Sequence, residues 1–188
     1  MGLILSLLLV AVATWVGAVY NRLVDLRNRW RNAFAQIDVQ LERRHDLVPN
    51  LVETAKGYLD HEREALETVV RARTAAVGAR DAAAASPGDA RAMHELAGAE
   101  ATLSGALGRL MALVEAYPEL KADAAMARLS ESLTRTEDGI ALARQAYNDE
   151  VAGYNDRIGQ FPGSLVANAF GFARAEPLAS ATMLAAPR

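Results

Sequence analysis

The sequence predicts an all-α protein in which an N-terminal transmembrane helix continues into an antiparallel four-helix bundle with long helices. Three observations carry this. The first twenty-one residues contain no charged side chain. Beyond them apolar residues recur in steps of three and four as far as Ile158, which is the helical period. No stretch alternates apolar and polar residues as a half-buried strand would. At 188 residues the chain is long enough for one domain with a real core and too short to favour two. It divides into an anchor (1–21), a bundle (22–160) and an apolar C-terminal segment with a tail (161–188).

The run LILSLLLVAVATWVGAVY, Leu3 to Tyr20, would span about 27 Å as a helix at ~1.5 Å per residue, close to one bilayer crossing. Ala11-Val12-Ala13 has the small-x-small form of a signal-peptide cleavage site. However, no Lys or Arg precedes the run, and Trp15 and Tyr20 suit the interfacial end of a retained anchor. Arg22, Arg27, Arg29 and Arg31 follow, against Asp25. By the positive-inside rule the expectation is a single pass through the membrane with the domain in the cytoplasm.

Past Tyr20 no Gly or Pro occurs before Pro49, and Leu23, Leu26, Trp30, Phe34, Ile37 and Leu41 mark an amphipathic helix continuous with the anchor. A proline at 49 cannot donate to the carbonyl of His45, its ring crowds that carbonyl, and Val48 is pushed toward an extended conformation. The sequence therefore favours a turn at Asp46 to Val48 over a kinked continuous rod, with Pro49 opening the second helix. Ser86-Pro87-Gly88-Asp89 ends that helix, with Ser86 as N-cap and Pro87 as first residue of the third. The third runs from Met93 to Tyr117 and stops at Pro118. Gly98, Gly105 and Gly108 within it suggest close helix approach. Asp123 is a plausible N-cap for the fourth, Met126 to Ile158, which ends at Phe161-Pro162.

Four antiparallel helices bring Phe161 back to the bilayer. The arriving segment FPGSLVANAFGF is uncharged and too short to span, so it would insert interfacially or meet a neighbouring subunit. Trp15, Tyr20, Arg22, Phe161, Phe170 and Phe172 are the expected membrane-anchoring residues. Ala173 to Arg188, Ala-rich with two prolines, is expected to be disordered unless a partner orders it.

Chemistry is sparsely signalled. Cysteine is absent and the formal net charge is −3, which excludes thiolate chemistry and gives no basic excess for nucleic acid. Glu42-x-x-His45 has one half of a carboxylate-bridged dimetal motif, but neither His61 nor His94 has a Glu three residues before it, so the other half is missing. Arg43, Arg44, His45 and Asp46 more simply neutralise a helix end, and form the candidate partner-binding patch. His61 and His94, beside acidic residues, suit a solvated face better than a pH sensor. Glu62, Arg73 and Glu100 fall on core-type positions, where buried polar groups can set register, or equally at the edge of the apolar stripe. Tyr147-Asn148 and Tyr154-Asn155 lie one heptad apart, so both tyrosines face one side of a helix, packed in the core with hydroxyls able to reach partners at its edge.

Three blocks closely resemble the LemA family: YNRLVDLRNRWRNAFAQIDVQLERRHDLVPNLVETAKGYLDHE (20–62), YPELKA (117–122) and YNDEVAGYNDRIGQFPGSLVANAFGF (147–172). The resemblance covers essentially the whole chain. It implies a single N-terminal anchor and an antiparallel helical bundle, no established enzymatic activity, and for some relatives a part in organising internal bacterial membranes. The expected function is a non-enzymatic, membrane-anchored bundle acting as a self-associating scaffold or membrane organiser, without cofactor or metal. The alternative is an adaptor or sensor for a dedicated protein partner. The expected partners are the lipid bilayer, further copies of the chain and an unidentified protein, with no nucleic acid.

Overall fold

The computed structural model of the chain describes residues 1–59 and 61–179. Its helices are α1 (Gly2–Lys56), α2 (Arg63–Ala85), α3 (Ala90–Ala116), α4 (Pro118–Ala122), α5 (Ala124–Gly159) and α6 (Gly163–Phe170), and no strand occurs among the described residues. The long helices α1, α2, α3 and α5 form the bundle, and the single turn α4 joins α3 to α5 at the end away from the anchor.

The expected turn at Asp46 to Val48 is not there. Helix α1 runs through Pro49 to Lys56, and the chain reverses at 57–62 instead. Two physical reasons account for this. The buried stripe Leu41, His45, Val48, Val52 and Ala55 keeps helical phase across the proline, so continuing the helix buries all of it. The His45 carbonyl that Pro49 cannot serve accepts a bond of 2.7 Å from Nε of Arg73 on α2. A side chain thus replaces the missing backbone donor, and the usual objection to an interior proline loses much of its force.

The second correction lies at the next turn. Ser86 terminates α2, while Asp89 is the N-cap of α3, its carboxylate accepting from the Ala92 N–H at 2.9 Å. Gly88 has φ +80°, and a Cβ there would meet the Trp30 ring at 3.0 Å and Ala175 at 3.1 Å. Glycine is required on both counts. Gly98, Gly105 and Gly108, by contrast, would have open space around a Cβ, so they do not mediate close helix approach. Asp123 caps α5 as expected, accepting from Ala125 and Met126 N–H groups at 2.8 and 2.9 Å. Those bonds hold its carboxyl below the ordinary range.

Helix lengths decide what lies near the anchor. At ~1.5 Å per residue, α2 and α3 extend about 35 and 40 Å, whereas α5 and the part of α1 beyond Tyr20 extend over about 50 Å each. The α2–α3 turn rests on Trp30, so the hairpin leaves the α1–α5 pair uncovered below that level. Helix α6 and residues 171–179 cover it. Val19, Leu23, Ile158, Val166, Ala167 and Phe172 are buried together there, in the hydrophobic cluster that continues to Trp30, Phe34, Leu41, Leu96 and Tyr147. A second cluster, from Val48 and Leu51 to Leu107, Leu110 and Leu133, fills the other end.

The expected disorder of the tail is accordingly corrected for 173–179, which is ordered against the bundle; residues 180–188 lie outside the described residues. Replacing Pro49 with Ala should stabilise the protein by about 1–2 kcal/mol, less than the ~3 kcal/mol of an unsupported interior proline. Arg73→Ala should cost about 1.5–3 kcal/mol. In a double-mutant cycle by chemical denaturation, that cost should fall by roughly 1 kcal/mol in the Pro49→Ala background, where residue 49 supplies its own N–H.

Candidate functional site

Three groups of residues concentrate the chemistry of the molecule: an apolar end beside the anchor, a clamp on the tail, and a polar layer inside the bundle.

At the anchor end, the only candidate span among the described residues lies in α1, and its apolar window is wholly exposed. Burial begins at Val19. Helix α6 packs against α1 at this level, with Val16 and Tyr20 partly buried against the cluster that holds Val166 and Ala167. Its other face is apolar and open, with Leu165 60% and Phe170 56% exposed, and Phe161, just before the helix, is 80% exposed. The Tyr20 ring lies 5.0 Å from that of Phe170 and 5.6 Å from that of Phe172. Of the expected anchoring residues, Trp15, Phe161 and Phe170 are exposed, while Phe172 faces inward under the Arg27 guanidinium, 5.0 Å from its ring. Arg22 is exposed and paired with Asp25 at 3.3 Å. The structure therefore gathers Tyr20, Phe170 and Phe172 in one aromatic group and leaves Phe161 and Leu165 projecting beside it.

The clamp is built by the Tyr-Asn repeat on α5. Helix α6 ends in a Schellman turn, with Gly171 at φ +71° and the Phe172 N–H bonded to the Ala167 carbonyl at 2.9 Å. The chain then runs back along α5. Asn155 donates to the Ala175 carbonyl (2.8 Å) and accepts from its N–H (3.0 Å). Asn148 treats Leu178 in the same way, at 3.1 and 2.8 Å. The hydroxyls of Tyr154 and Tyr147 donate to the carbonyls of Ala173 (2.8 Å) and Glu176 (2.6 Å). Burial raises the pKa of both tyrosines, so the hydroxyls remain donors.

The two repeats match in length. Seven helical residues advance about 10.5 Å, and three residues of polyproline-like chain about 9.3 Å. Each Tyr-Asn unit can therefore address the same phase of a three-residue repeat. Burial in the tail has that period, at Phe172, Ala175 and Leu178, with Pro177 favouring the extended form. The Glu176 N–H bonds to the Gly88 carbonyl at 2.9 Å, tying the tail to the α2–α3 turn as well. The Tyr-Asn spacing was visible in the sequence. Its target was hidden, because a period of three over seven residues is too short to stand out.

In the middle of the bundle, Arg44 and His45 are buried, at 2% and 1% exposure. They are committed to internal contacts, while Arg43 and Asp46 beside them face solvent. The Arg44 guanidinium pairs with the Glu100 carboxylate and bonds to Ser104 Oγ (3.0 Å) and Glu137 Oε1 (2.7 Å). His45 Nε2 lies 2.9 Å from Glu100 Oε1. With Arg73, the layer draws on all four long helices. Arg73 and Glu100 were expected at core-type positions and are here; Glu62 instead sits at the N-cap of α2. Burial, then the charges of Arg44, Arg80 and Arg73, lower the His45 pKa to about 4, with Asp46 opposing. Glu100 is already compensated by Arg44, so a neutral His45 donating to its carboxylate fits the geometry. His61 and His94 are exposed, and no group of three or more potential metal ligands occurs among the described residues.

Comparison with known proteins identifies a family. The LemA family matches over residues 33–187. Magnetosome protein MamQ of Magnetospirillum gryphiswaldense is 30% identical over 183 residues, covering 89% of this chain and 67% of that protein. Magnetosome proteins MamQ 1 and MamQ 2 of Paramagnetospirillum magneticum are each 29% identical over 172 residues, covering 84% of this chain. The chain spans 63% of the length of these two relatives.

Asn155→Asp should keep the acceptor for the Ala175 N–H but set a carboxylate against the Ala175 carbonyl, loosening the tail by about 1–3 kcal/mol. Hydrogen exchange at Ala175 and Leu178 should accelerate while the amides of α2 and α3 stay protected. The lowered pKa of His45 predicts a pH effect of defined sign. The unfolded imidazole binds its proton near pH 6.5 and the folded one only near 4, so the unfolded state holds more protons between these values. Stability should fall as pH drops from about 6.5 toward 4. His45→Gln, which keeps an N–H donor, should flatten that part of the stability curve.

Proposed function

Because the chain belongs to the LemA family, we propose that it is a non-enzymatic, membrane-anchored helical scaffold that self-associates and helps to organise the bilayer carrying it. The observation that supports this best is the placement of α6. If the run from Leu3 to Tyr20 spans the bilayer, α6 lies beside its last turn, at the depth where amphipathic helices rest in the interface. Its exposed residues Leu165 and Phe170, with Phe161 just before it, would cost free energy in water and lose that cost in lipid or against a neighbouring copy. A rigid bundle held to the surface at two points transmits its orientation to the membrane, which a single flexible tether does not.

Arg22, Arg27, Arg29 and Arg31 follow the span with only Asp25 among them, which supports a single pass through the bacterial cytoplasmic membrane with the bundle in the cytoplasm. The membrane-organising role implied by the family resemblance fits this reading.

The test is a comparison in lipid nanodiscs and liposomes of the full chain with Phe161→Ser/Leu165→Ser, the two side chains that project beside the aromatic group. Mass determination and particle imaging should show a discrete assembly and altered liposome shape for the full chain. The variant should keep its helical content and thermal transition while losing both effects. A monomer that leaves liposomes unchanged in every case would overturn the scaffold. Capture of a protein partner dependent on Arg43 and Asp46, the exposed members of their patch, would then be the reading to pursue.

A further inference from the structure

Where the tail leaves α6 it closes a cavity of about 260 Å³ lined by Arg27, Trp30 and Arg31 of α1, Pro87, Gly88 and Asp89 of the α2–α3 turn, Tyr154, and residues 171–175. We propose that this cavity binds a phosphate-type oxyanion, held by Arg27, Arg31 and Arg174.

The charge balance is the first support. Three arginines line one cavity whose single lining carboxylate, Asp89, is engaged in capping α3. Several of the other described arginines are in ion pairs: Arg22 and Arg29 share Asp25, Arg44 has Glu100 and Glu137, and Arg80 has Asp38. Arg27, Arg31 and Arg174 form no ion pair among the described residues. Arg43, Arg109, Arg128 and Arg157 also lack an ion pair among the described residues; what sets Arg27, Arg31 and Arg174 apart is that all three line one cavity.

Geometry is the second. Arg27 is held over the Phe172 ring at 5.0 Å and Arg31 over Trp30 at 5.5 Å. Contact with an aromatic face restrains each side chain, so less entropy is lost when a ligand arrives. Arg27 Nε and Trp30 Nε1 are buried without a protein acceptor, an omission that natural structures usually explain by a ligand or water. A planar fork of this kind matches phosphate oxygens in pairs. The tail supplies Arg174, so the site exists only while the Tyr-Asn clamp is closed.

The anion could come from a lipid headgroup or from solution. Arg27 and Arg31 stand about 10 and 16 Å beyond Tyr20 along α1, just past and well past the ~5–8 Å headgroup layer of a bilayer, so a headgroup would have to reach up to them whereas a soluble anion would not. The inference does not depend on the scaffold reading.

The test follows the Trp30 indole N–H resonance of the full chain in nanodiscs. In phosphatidylcholine discs, titration with inorganic phosphate should shift it saturably. In a second arm, discs of phosphatidylcholine with phosphatidylglycerol should shift it without added phosphate if the headgroup is the source. Whichever arm responds, Arg31→Gln/Arg174→Gln should weaken the response about tenfold or more. Arg22→Gln/Arg29→Gln, equal in charge change but outside the cavity, should leave it intact. No response in either arm, or equal loss in both variants, would overturn the site.

Discussion

The contact between the Arg44 guanidinium and the Glu100 carboxylate constrains everything around it. A charge as buried as Arg44 is tolerable only if its partners are in place, and those partners come from other helices: Glu100 and Ser104 from α3, Glu137 from α5. His45 adds a bond to the same carboxylate, and its own carbonyl takes up Arg73 from α2. An apolar core would accept small axial slips of one helix against another with modest loss. This layer would not, since a slip of one turn strands a guanidinium in the interior. It lies between the two hydrophobic clusters and sets the register in which both are packed.

With register set, helix lengths do the rest. The α2–α3 hairpin is too short to reach the anchor, and its turn comes to rest on Trp30. Below that point the α1–α5 pair needs another cover, which α6 and the tail provide. The same segment therefore completes the core with Val166, Ala167, Phe172, Ala175 and Leu178 and presents Phe161, Leu165 and Phe170 outward at the end of the anchor. Core formation and the exposed apolar surface are not separable here. The clamp joins them, since releasing Ala175 and Leu178 would also expose the groove beside Tyr147 and Tyr154.

Legibility followed the range of the interactions involved. The N-cap at Asp123 was readable because donor and acceptor lie within three residues. The Ser86 assignment erred by a similar local rule, because Asp89 competes for the same role and its carboxylate reaches Ala92. At Pro49 the sequence held two conflicting signals: a helix breaker, and an apolar stripe whose phase never changes from Leu41 to Ala55. Burial along a whole helix outweighed one lost hydrogen bond once Arg73 supplied a substitute. The Tyr-Asn heptad was conspicuous, yet nothing local identifies an extended segment some twenty to thirty residues later as its target.

By itself, the amino-acid sequence determined the all-helical class, the apolar run that begins α1, the ends of α3 and α5, and the return of the chain to the anchor. These depend on periodicity, composition and caps, which act within a few residues. Only the tertiary structure decided that α1 passes through Pro49, that Arg44 and His45 point into the bundle while Arg43 and Asp46 point out, and that the tail lies clamped on α5. Each of those outcomes rests on a polar group satisfied from a distant element, and the energy of such a bond is invisible until both partners are placed.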